Sequence, residues 1–424
     1  MEITNVNIIR RKKFFILCFA TLLMFFTSMN KVLVPGAVFS DMQRTLGVSG
    51  NELAAMGSAF MYCYALSQLV LGLLSHKFGG VRILLIGGSL FTAGSILFPL
   101  LKDPLLLIAV RGITGIGAGS VFIALAKLIA DIFPGKFSSV LGITLFIGYL
   151  GPVCGGLPFV SLVKLTGWNK AFLAVGAVVA TAMCVIYFLS PGTLKKIRGG
   201  ESLFSPLFLI LKNHFSNCLS VSSMIIFGSH YMILSTIGLK ALEDYAHFSH
   251  YSASLWMSTL SGIIAALNLG AGMILAFFKQ KRHRILITAS LLCLSGGIAG
   301  ILVFGLQLPG IFTPFVFVLL ALPAGCFPLY GTYSKELNPP EYVGLSVAML
   351  NFFAFVGIAI GGTSAGLVLG KYETSEFAMK AAGSVGSVFH YPPQAYRDIF
   401  IVITSFAVVG VITALFVPET HKNK

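Results

Sequence analysis

Two basic residues stand inside long apolar runs, where a charge is costly. Lys31 lies within "FFTSMNKVLVPGAV" (25–38), and Arg111 lies within "VRGITGIGAGSVF" (110–122). A charge in the centre of a membrane costs at least ~2.5–3.5 kcal/mol on insertion scales, and such residues usually face a cavity. An Arg fork beside a Lys point charge suits a carboxylate or a phosphate. The pair therefore predicts an anion site, and snorkelling of each side chain to the outer interface is the alternative.

Neutral polar residues on the same predicted helices are further candidates for this site. Tyr64 and Gln68 are four residues apart, so they share one helix face. A buried amide or hydroxyl must find hydrogen-bond partners, which either a substrate or a neighbouring helix supplies. The predicted substrate-binding residues are Lys31, Arg111, Asn30, Tyr64, Gln68, His230, Tyr231 and Asn351.

Acidic residues are missing from the middle of every apolar run. All 14 fall in predicted loops or at helix ends. His230, near the middle of a run, is the only buried group expected to titrate near neutral pH. It is either a proton relay or a hydrogen-bonded packing residue. A coupling proton, exchange and facilitated diffusion therefore all remain open.

The elements that must position these residues are membrane-spanning helices. Of 424 residues, 56% are hydrophobic and only 10% are charged, whereas soluble domains carry roughly 25% charged residues. Apolar runs of about 20 residues, the length that crosses a bilayer as a helix, recur along the chain. We predict an all-α membrane protein with twelve transmembrane helices, at about 14–38, 53–75, 83–101, 105–130, 139–163, 169–190, 214–238, 251–278, 285–305, 311–333, 345–370 and 398–417.

The basic residues predict the orientation of these helices. With both termini in the cytoplasm, inside segments hold 18 Lys and Arg, outside segments hold eight, and three lie within helices, which makes the total of 29. Cytoplasmic loops are enriched in Lys and Arg, so this asymmetry sets the topology. The basic clusters contact membrane lipid rather than nucleic acid, because no aromatic-interleaved basic face accompanies them.

The chain divides into two similar halves. Pro191, Gly192, Gly199 and Gly200 punctuate a basic segment between the sixth and seventh helices. A shift of 206 residues aligns Gly119 with Gly325, Pro134 with Pro340 and Gly151 with Gly357. We predict an N-terminal six-helix half (1–190), a cytoplasmic linker (191–213) and a C-terminal six-helix half (214–424), an arrangement typical of transporters with a site between the halves.

The loop "GLLSHKFGGVR" (72–82) resembles the signature of the major facilitator superfamily, although His76 stands where the family normally carries an acid. "VRGITGIGAGSVF" looks like the fourth helix of its organic-anion members. The resemblance covers nearly the whole chain and implies the twelve-helix major facilitator fold. It also implies a gating loop that helps close the cytoplasmic side, formed by Gly72, His76, Lys77, Gly79 and Arg82.

We therefore expect a secondary or facilitative transporter of a small organic anion or zwitterion that works by alternating access. "GPVCGG" (151–156) resembles the core of the signature of antiporting drug exporters, so a drug or metabolite exporter is the alternative. Close helix packing explains the same glycines. An enzyme is not expected, because the sequence has no nucleophile–base set, metal cluster or Walker-type loop.

The remaining expectations concern composition and location. All seven cysteines fall in predicted helices and are interpreted as small apolar packing residues. No cofactor is expected. We predict a monomeric, multi-pass protein of the bacterial inner membrane with a small-molecule substrate as its partner.

Overall fold

Long apolar segments form helices because, without water, backbone N–H and C=O groups must hydrogen-bond within the segment. The computed structural model describes residues 2–133, 137–190, 210–339, 343–373 and 389–420, with the backbone alone at 2–11, 72–78, 137–139 and 343–344. Within these residues, eleven helices are long and apolar enough to cross a bilayer, and one bent pair makes a twelfth. The prediction of an all-α membrane protein with twelve spans is confirmed.

The membrane helices are numbered in chain order. They are α1 (Glu2–Val32), α2 (Gly50–Phe78), α3 (Gly80–Leu97), α4 (Pro104–Ile132), α5 (Phe137–Gly155 and Leu157–Thr166), α6 (Trp168–Leu189), α7 (His214–Met232 and Gly238–Asp244), α8 (His250–Leu269), α9 (Arg282–Gly305), α10 (Thr313–Ala324 and Phe327–Leu337), α11 (Val343–Tyr372) and α12 (Pro393–Leu415). Two short helices, Phe39–Leu46 and Ala271–Phe277, lie outside the membrane spans.

Four of these helices are irregular. A π-helical turn, Leu33–Ala37, follows α1, and a second, Ile233–Ile237, interrupts α7. The two segments of α5 meet at 45°, close to Pro152. Pro323 lies just before the break in α10. Proline removes a backbone donor and clashes with the preceding turn, and π-helical turns occur frequently at functional sites.

Glycines in α4 bring this helix into direct contact with α2 and α3. A Cβ at Gly115 would lie 2.2 Å from the Phe60 carbonyl oxygen, and a Cβ at Gly117 would lie 2.3 Å from the Phe91 nitrogen. No larger residue fits at this spacing without moving a backbone. The run "RGITGIGAGS" thereby places the start of α4, with Arg111, tightly against α2.

Hydrogen bonds join the first six helices to the last six at one membrane face, which we call the closed face. The Gly50 N–H donates to Glu373 Oε1 (2.6 Å), and the Leu157 N–H donates to Ser258 Oγ (2.7 Å). Ser40 Oγ donates to Glu243 Oε2 (3.3 Å). The closed face is therefore the side that holds the ends of α1, α5, α7 and α11.

The opposite membrane face carries an ion pair between Lys127 and Asp131. Their side chains are 3.7 Å apart and remain substantially exposed. A second ion pair at this face joins Arg282 to Glu336 (2.9 Å), and the Arg282 backbone N–H also donates to Glu419 Oε1 (3.2 Å). In the second half, the carboxylates of Glu336 and Glu419 thus hold the start of α9 at Arg282. The segment between Gly272 and Arg282 does not repeat the loop signature found at 72–82 in the first half.

The end of α7 differs from the prediction. Its helical path continues to Asp244 rather than ending near 238, because Lys240 Nζ pairs with Asp244 Oδ1 one turn later (2.7 Å). Both side chains are buried, and Asp244 also accepts hydrogen bonds from the Tyr391 N–H (3.0 Å) and Tyr396 Oη (2.7 Å). Lys240 was expected outside the membrane helices, but pairing removes its need for water.

Some predictions lie outside the described residues. They include most of the linker (191–209), the proline pair of the repeat, and the side chains of Gly72, His76 and Lys77. Of the remaining gating-loop residues, Gly79 precedes α3 with φ +73°, a backbone conformation that favours glycine. Arg82 is half-buried in the first turn of α3. The gating role and the division into halves stay predictions.

Candidate functional site

Lys31 is buried in the bundle among aromatic side chains. It is 5% exposed, and its Nζ donates a hydrogen bond to Tyr64 Oη (3.2 Å). The ammonium also lies 4.4 Å from the Tyr64 ring centroid and 4.6 Å from that of Phe355 on α11. Within the described residues no carboxylate contacts Lys31. Its charge is therefore held only by a phenol and two ring faces, and two of its N–H donors stay uncommitted.

Tyr64 is the centre of this cluster. Its hydroxyl accepts hydrogen bonds from Lys31 Nζ and from Gln68 Nε2 (2.9 Å), as expected for residues four apart on one face. A phenol has one donor and two acceptor sites. In the described part of the chain, the Tyr64 O–H donates to no acceptor. The Tyr149 and Tyr231 phenols, on α5 and α7, interact electrostatically with the Tyr64 phenol.

Arg111 is occupied by the protein itself. It is 1% exposed, and its Nη1 donates to Asn30 Oδ1 in a short hydrogen bond. Nη2 donates to the Asn30 carbonyl (3.3 Å) and Nε to the Met56 carbonyl (3.4 Å), while the guanidinium lies 4.3 Å from the Phe60 ring centroid. Neither Arg111 nor Lys31 reaches the protein surface. In this conformation Arg111 joins α4 to α1 and α2 and positions Asn30, the neighbour of Lys31.

The last six helices contribute uncharged groups. His230 is 1% exposed, and within the described residues neither of its ring nitrogens has a hydrogen-bond partner. Its neighbour Tyr231 stacks on Phe227 at 6.0 Å between ring centroids. Asn351 is half-buried on α11, one turn before Phe355, which contacts Lys31. The predicted residues of both sequence halves therefore lie on helices that meet around Tyr64, although their role in binding stays a prediction.

Sequence reasoning missed two residues of the cluster. Phe355 is one of many apolar residues in α11, so only the contact between α2 and α11 identifies it. Tyr149 had a usable signal, a polar tip inside an apolar run, close to the "GPVCGG" motif. Those glycines serve packing: a Cβ at Gly151 would lie 2.3 Å from the Phe25 carbonyl oxygen, and one at Gly156 would lie 2.2 Å from Ser258 Oγ.

The cluster presents hydrogen-bond donors of the kind that suit an anion. Within the described residues, no group of three or more His, Cys, Asp or Glu side chains is placed to hold a metal ion. A carboxylate, sulfonate or phosphate oxygen near Lys31 would accept hydrogen bonds from the Lys31 ammonium and from the Tyr64 hydroxyl. Charge-assisted hydrogen bonds of this kind are about twice as strong as neutral ones.

Comparison with known proteins agrees with this chemistry. The profile of the Major Facilitator Superfamily matches residues 17–362. The chain is 28% identical over 134 residues to a probable sulfoacetate transporter of Cupriavidus necator, covering 31% of this chain and 31% of that one. It is 25% identical over 191 residues to a 4-hydroxybenzoate transporter of Pseudomonas aeruginosa, covering 44% and 42% of the two chains. The matches thus span less than half the length of these curated relatives.

A solved structure matches over nearly the full length. It is a bacterial homologue of the human lysosomal transporter Spinster in an inward-facing, occupied conformation, with a TM-score of 0.72 and 15% identity. The match covers 96% of each chain. At this identity the similarity concerns the fold alone.

Proposed function

Because the chain belongs to the major facilitator superfamily, we propose that it carries a small organic anion or zwitterion across the membrane by alternating access. The observation that supports this most is the buried ammonium of Lys31, which has no carboxylate partner in the described part of the chain. Burial of an ion is expensive unless it is paired. A bound anion supplies the missing pair and takes up the free donors of Lys31 and Tyr64.

The proposed transport cycle starts from the geometry of the closed face. Contacts between Gly50 and Glu373 and between Leu157 and Ser258 close this side over the cluster. With both termini in the cytoplasm, the closed face is the outer side. Release of these contacts, with closure at the opposite face, would expose Lys31 to the outside. Rocking of two helical bundles about a fixed central site is the general mechanism of such folds.

The relatives support the substrate class. Their names give sulfoacetate and 4-hydroxybenzoate, both small organic anions. 4-Hydroxybenzoate bears one carboxylate and so matches the single ammonium of Lys31, whereas sulfoacetate bears a carboxylate and a sulfonate. Amino acids and phosphorylated metabolites also present an anionic group and belong in the test.

The exporter alternative rests on "GPVCGG" alone. Gly151 and Gly156 contact backbone or hydroxyl atoms of α1 and α8 so closely that helix packing accounts for them. A cationic drug would in addition meet the like charge of Lys31. The exporter hypothesis is therefore an outcome of the experiment rather than a second proposal.

The first experiment is a stability screen of the purified protein against carboxylates, sulfonates, phosphates, amino acids, sugars and lipophilic cations, followed by uptake into proteoliposomes. A ligand at ~100 times its dissociation constant stabilises the folded state by about 2.7 kcal/mol. We expect stabilisation by anions or zwitterions, loss of that response in Lys31→Gln, and uptake of the same compounds. Stabilisation by lipophilic cations only, or an unchanged response in Lys31→Gln, contradicts the proposal.

The coupling mode is tested in the same vesicles. His230 is the buried titratable group that would carry a proton, and it is the only histidine among the predicted site residues. Uptake driven by an imposed proton gradient indicates symport, and loss of that proton dependence in His230→Gln, with anion binding retained, assigns the proton to His230. Uptake that needs the anion on both sides of the membrane indicates exchange.

A further inference from the structure

The two halves of the cluster are equivalent in position but different in chemistry. Asn30 lies three residues before the π-helical turn Leu33–Ala37, and His230 lies three residues before the turn Ile233–Ile237. Lys31 and Tyr231 therefore occupy matching places on α1 and α7. The first half offers an ammonium where the second half offers a neutral phenol.

The neighbouring helices repeat this difference. Arg111 on α4 holds Asn30 through hydrogen bonds to its side-chain amide oxygen and its backbone carbonyl. The shift of 206 residues that aligns the halves pairs Arg111 with Phe317 on α10, which is buried and has nothing to donate. Asn30 is thus satisfied by its own half, whereas the equivalent His230 has two unpartnered ring nitrogens at 1% exposure. A buried polar group without a partner is costly, so one is expected in a working state of the protein.

Lys31 is the buried cation that the protein itself engages least. Arg111 donates three of its five N–H groups to Asn30 and the Met56 carbonyl and lies against the Phe60 ring, whereas Lys31 makes one hydrogen bond, to Tyr64. In the described part of α7–α12, basic residues lie in connections or near helix ends, and Lys240 is already paired with Asp244. A second anionic group on the ligand would therefore meet no cation on the side of α7.

We infer that the substrate carries one anionic group, bound by Lys31 and Tyr64, and one uncharged polar group such as a hydroxyl, bound by His230 and Tyr231. A neutral imidazole has one donor and one acceptor, and a phenol adds one more of each, so the pair suits a hydroxyl that both donates and accepts. This rests on the proposed function and makes it narrower: hydroxylated monoanions are favoured over dianions and over unsubstituted acids.

The test uses two matched sets of ligands on the full-length protein in detergent. The aromatic set is benzoate, 4-hydroxybenzoate and terephthalate, and the aliphatic set is butyrate, 4-hydroxybutyrate and succinate. Within each set the carbon skeleton stays similar. The first member has no second polar group, the second member has a hydroxyl, and the third has a second carboxylate. Dissociation constants are measured by calorimetry or by concentration-dependent stabilisation for the wild type, His230→Phe, Tyr231→Phe and Lys31→Gln.

In at least one set, we expect the hydroxylated acid to bind about 10-fold more tightly than both other members, the size of one net hydrogen bond. His230→Phe and Tyr231→Phe should reduce this preference while the unsubstituted monoanion still binds, which shows that the variants are folded. Lys31→Gln should weaken every anion.

Two failures are distinguishable. If monoanions bind but the dianion binds as tightly as the hydroxy acid, or if the ranking survives in both His230→Phe and Tyr231→Phe, the inference is overturned and the proposed function stands. If none of the six binds the wild type and lipophilic cations bind instead, the proposed function falls and the inference falls with it.

Discussion

Replacement of Lys31 and of Arg111 by methionine separates a residue that serves a ligand from one that serves the fold. Both side chains are buried cations of similar length. Lys31 has one hydrogen bond of 3.2 Å and two ring faces, whereas Arg111 has three hydrogen bonds to α1 and α2. The structure therefore predicts opposite effects of the same substitution on the stability of the ligand-free protein.

The magnitudes follow from these contacts. Both cations carry a desolvation cost of several kcal/mol, which each substitution relieves. Truncation of Arg111 loses three charge-assisted hydrogen bonds and leaves buried acceptors unpaired at about 1–3 kcal/mol each, whereas truncation of Lys31 loses one hydrogen bond and its cation–π contacts. Lys31→Met should thus change the free energy of unfolding by less than about 1 kcal/mol or raise it, whereas Arg111→Met should lower it by about 3 kcal/mol.

The assay is unfolding in detergent with and without a stabilising anion. Lys31→Met should keep or raise the midpoint and lose the anion response. Lys127→Met is the matched control, since its ion pair with Asp131 is exposed and contributes about 0–1 kcal/mol. Equal destabilisation by Lys31→Met and Arg111→Met, or a full anion response in Lys31→Met, refutes the assignment of Lys31 to a ligand and of Arg111 to the fold.

Three further predictions concern Tyr64 and the closed face. Tyr64→Phe removes the uncommitted O–H and should weaken anion binding about 10-fold in a titration, with no comparable change in Tyr62→Phe, a more exposed residue of the same helix. Gly156→Val adds carbon atoms where even a Cβ would lie 2.2 Å from Ser258 Oγ, so it should separate the two halves at the closed face. Thiol labelling of Ser58→Cys should then become faster. Gly142→Val, which has open space around it, should leave the labelling rate unchanged. Burial raises the pKa of the Glu373 carboxyl above its ordinary value in the closed state, so the closed face binds protons more tightly than an open one. Lowering the pH should then favour closure, as measured by the distance between spin labels across this face, and Glu373→Gln should flatten the pH dependence. Burial also raises the pKa of Asp41, which acts in the same direction.

The fold was predictable from the sequence because membrane helices depend on composition and length. Each run of about 20 apolar residues became a helix, since lipid leaves no other way to satisfy the backbone. The breaks were less predictable. Pro152 and Pro323 mark the bends in α5 and α10, and Pro35 and Gly36 mark the π-helical turn after Lys31, but no helix-breaking residue marks the turn after Tyr231. The end of α7 was misjudged because Lys240 and Asp244 neutralise each other inside the protein.

The sequence identified most of the candidate site residues, but it did not predict most of the hydrogen bonds and packing contacts among them. Charge in an apolar run identified Lys31 and Arg111, and spacing identified the hydrogen bond between Tyr64 and Gln68. The hydrogen bonds from Arg111 to Asn30 and to the Met56 carbonyl could not be predicted from the sequence. Met56 contributes only a backbone oxygen, which every residue has. Phe355 escaped notice for a similar reason, since an aromatic ring becomes a cation's partner only through the packing of α11 against α2.

Charge balance links these observations to the transport cycle. A carrier that closes over an empty site must bury the Lys31 ammonium with only Tyr64 and Phe355 around it, whereas a carrier that closes over a monoanion buries a neutral pair. The loaded form should therefore cross the occluded state more readily than the empty one. If the anion provides this stabilisation, unlabelled substrate on the far side should accelerate the exit of labelled substrate from proteoliposomes. In Lys31→Met, where the occluded empty form carries no unpaired charge at this position, that acceleration should disappear together with the affinity for anions.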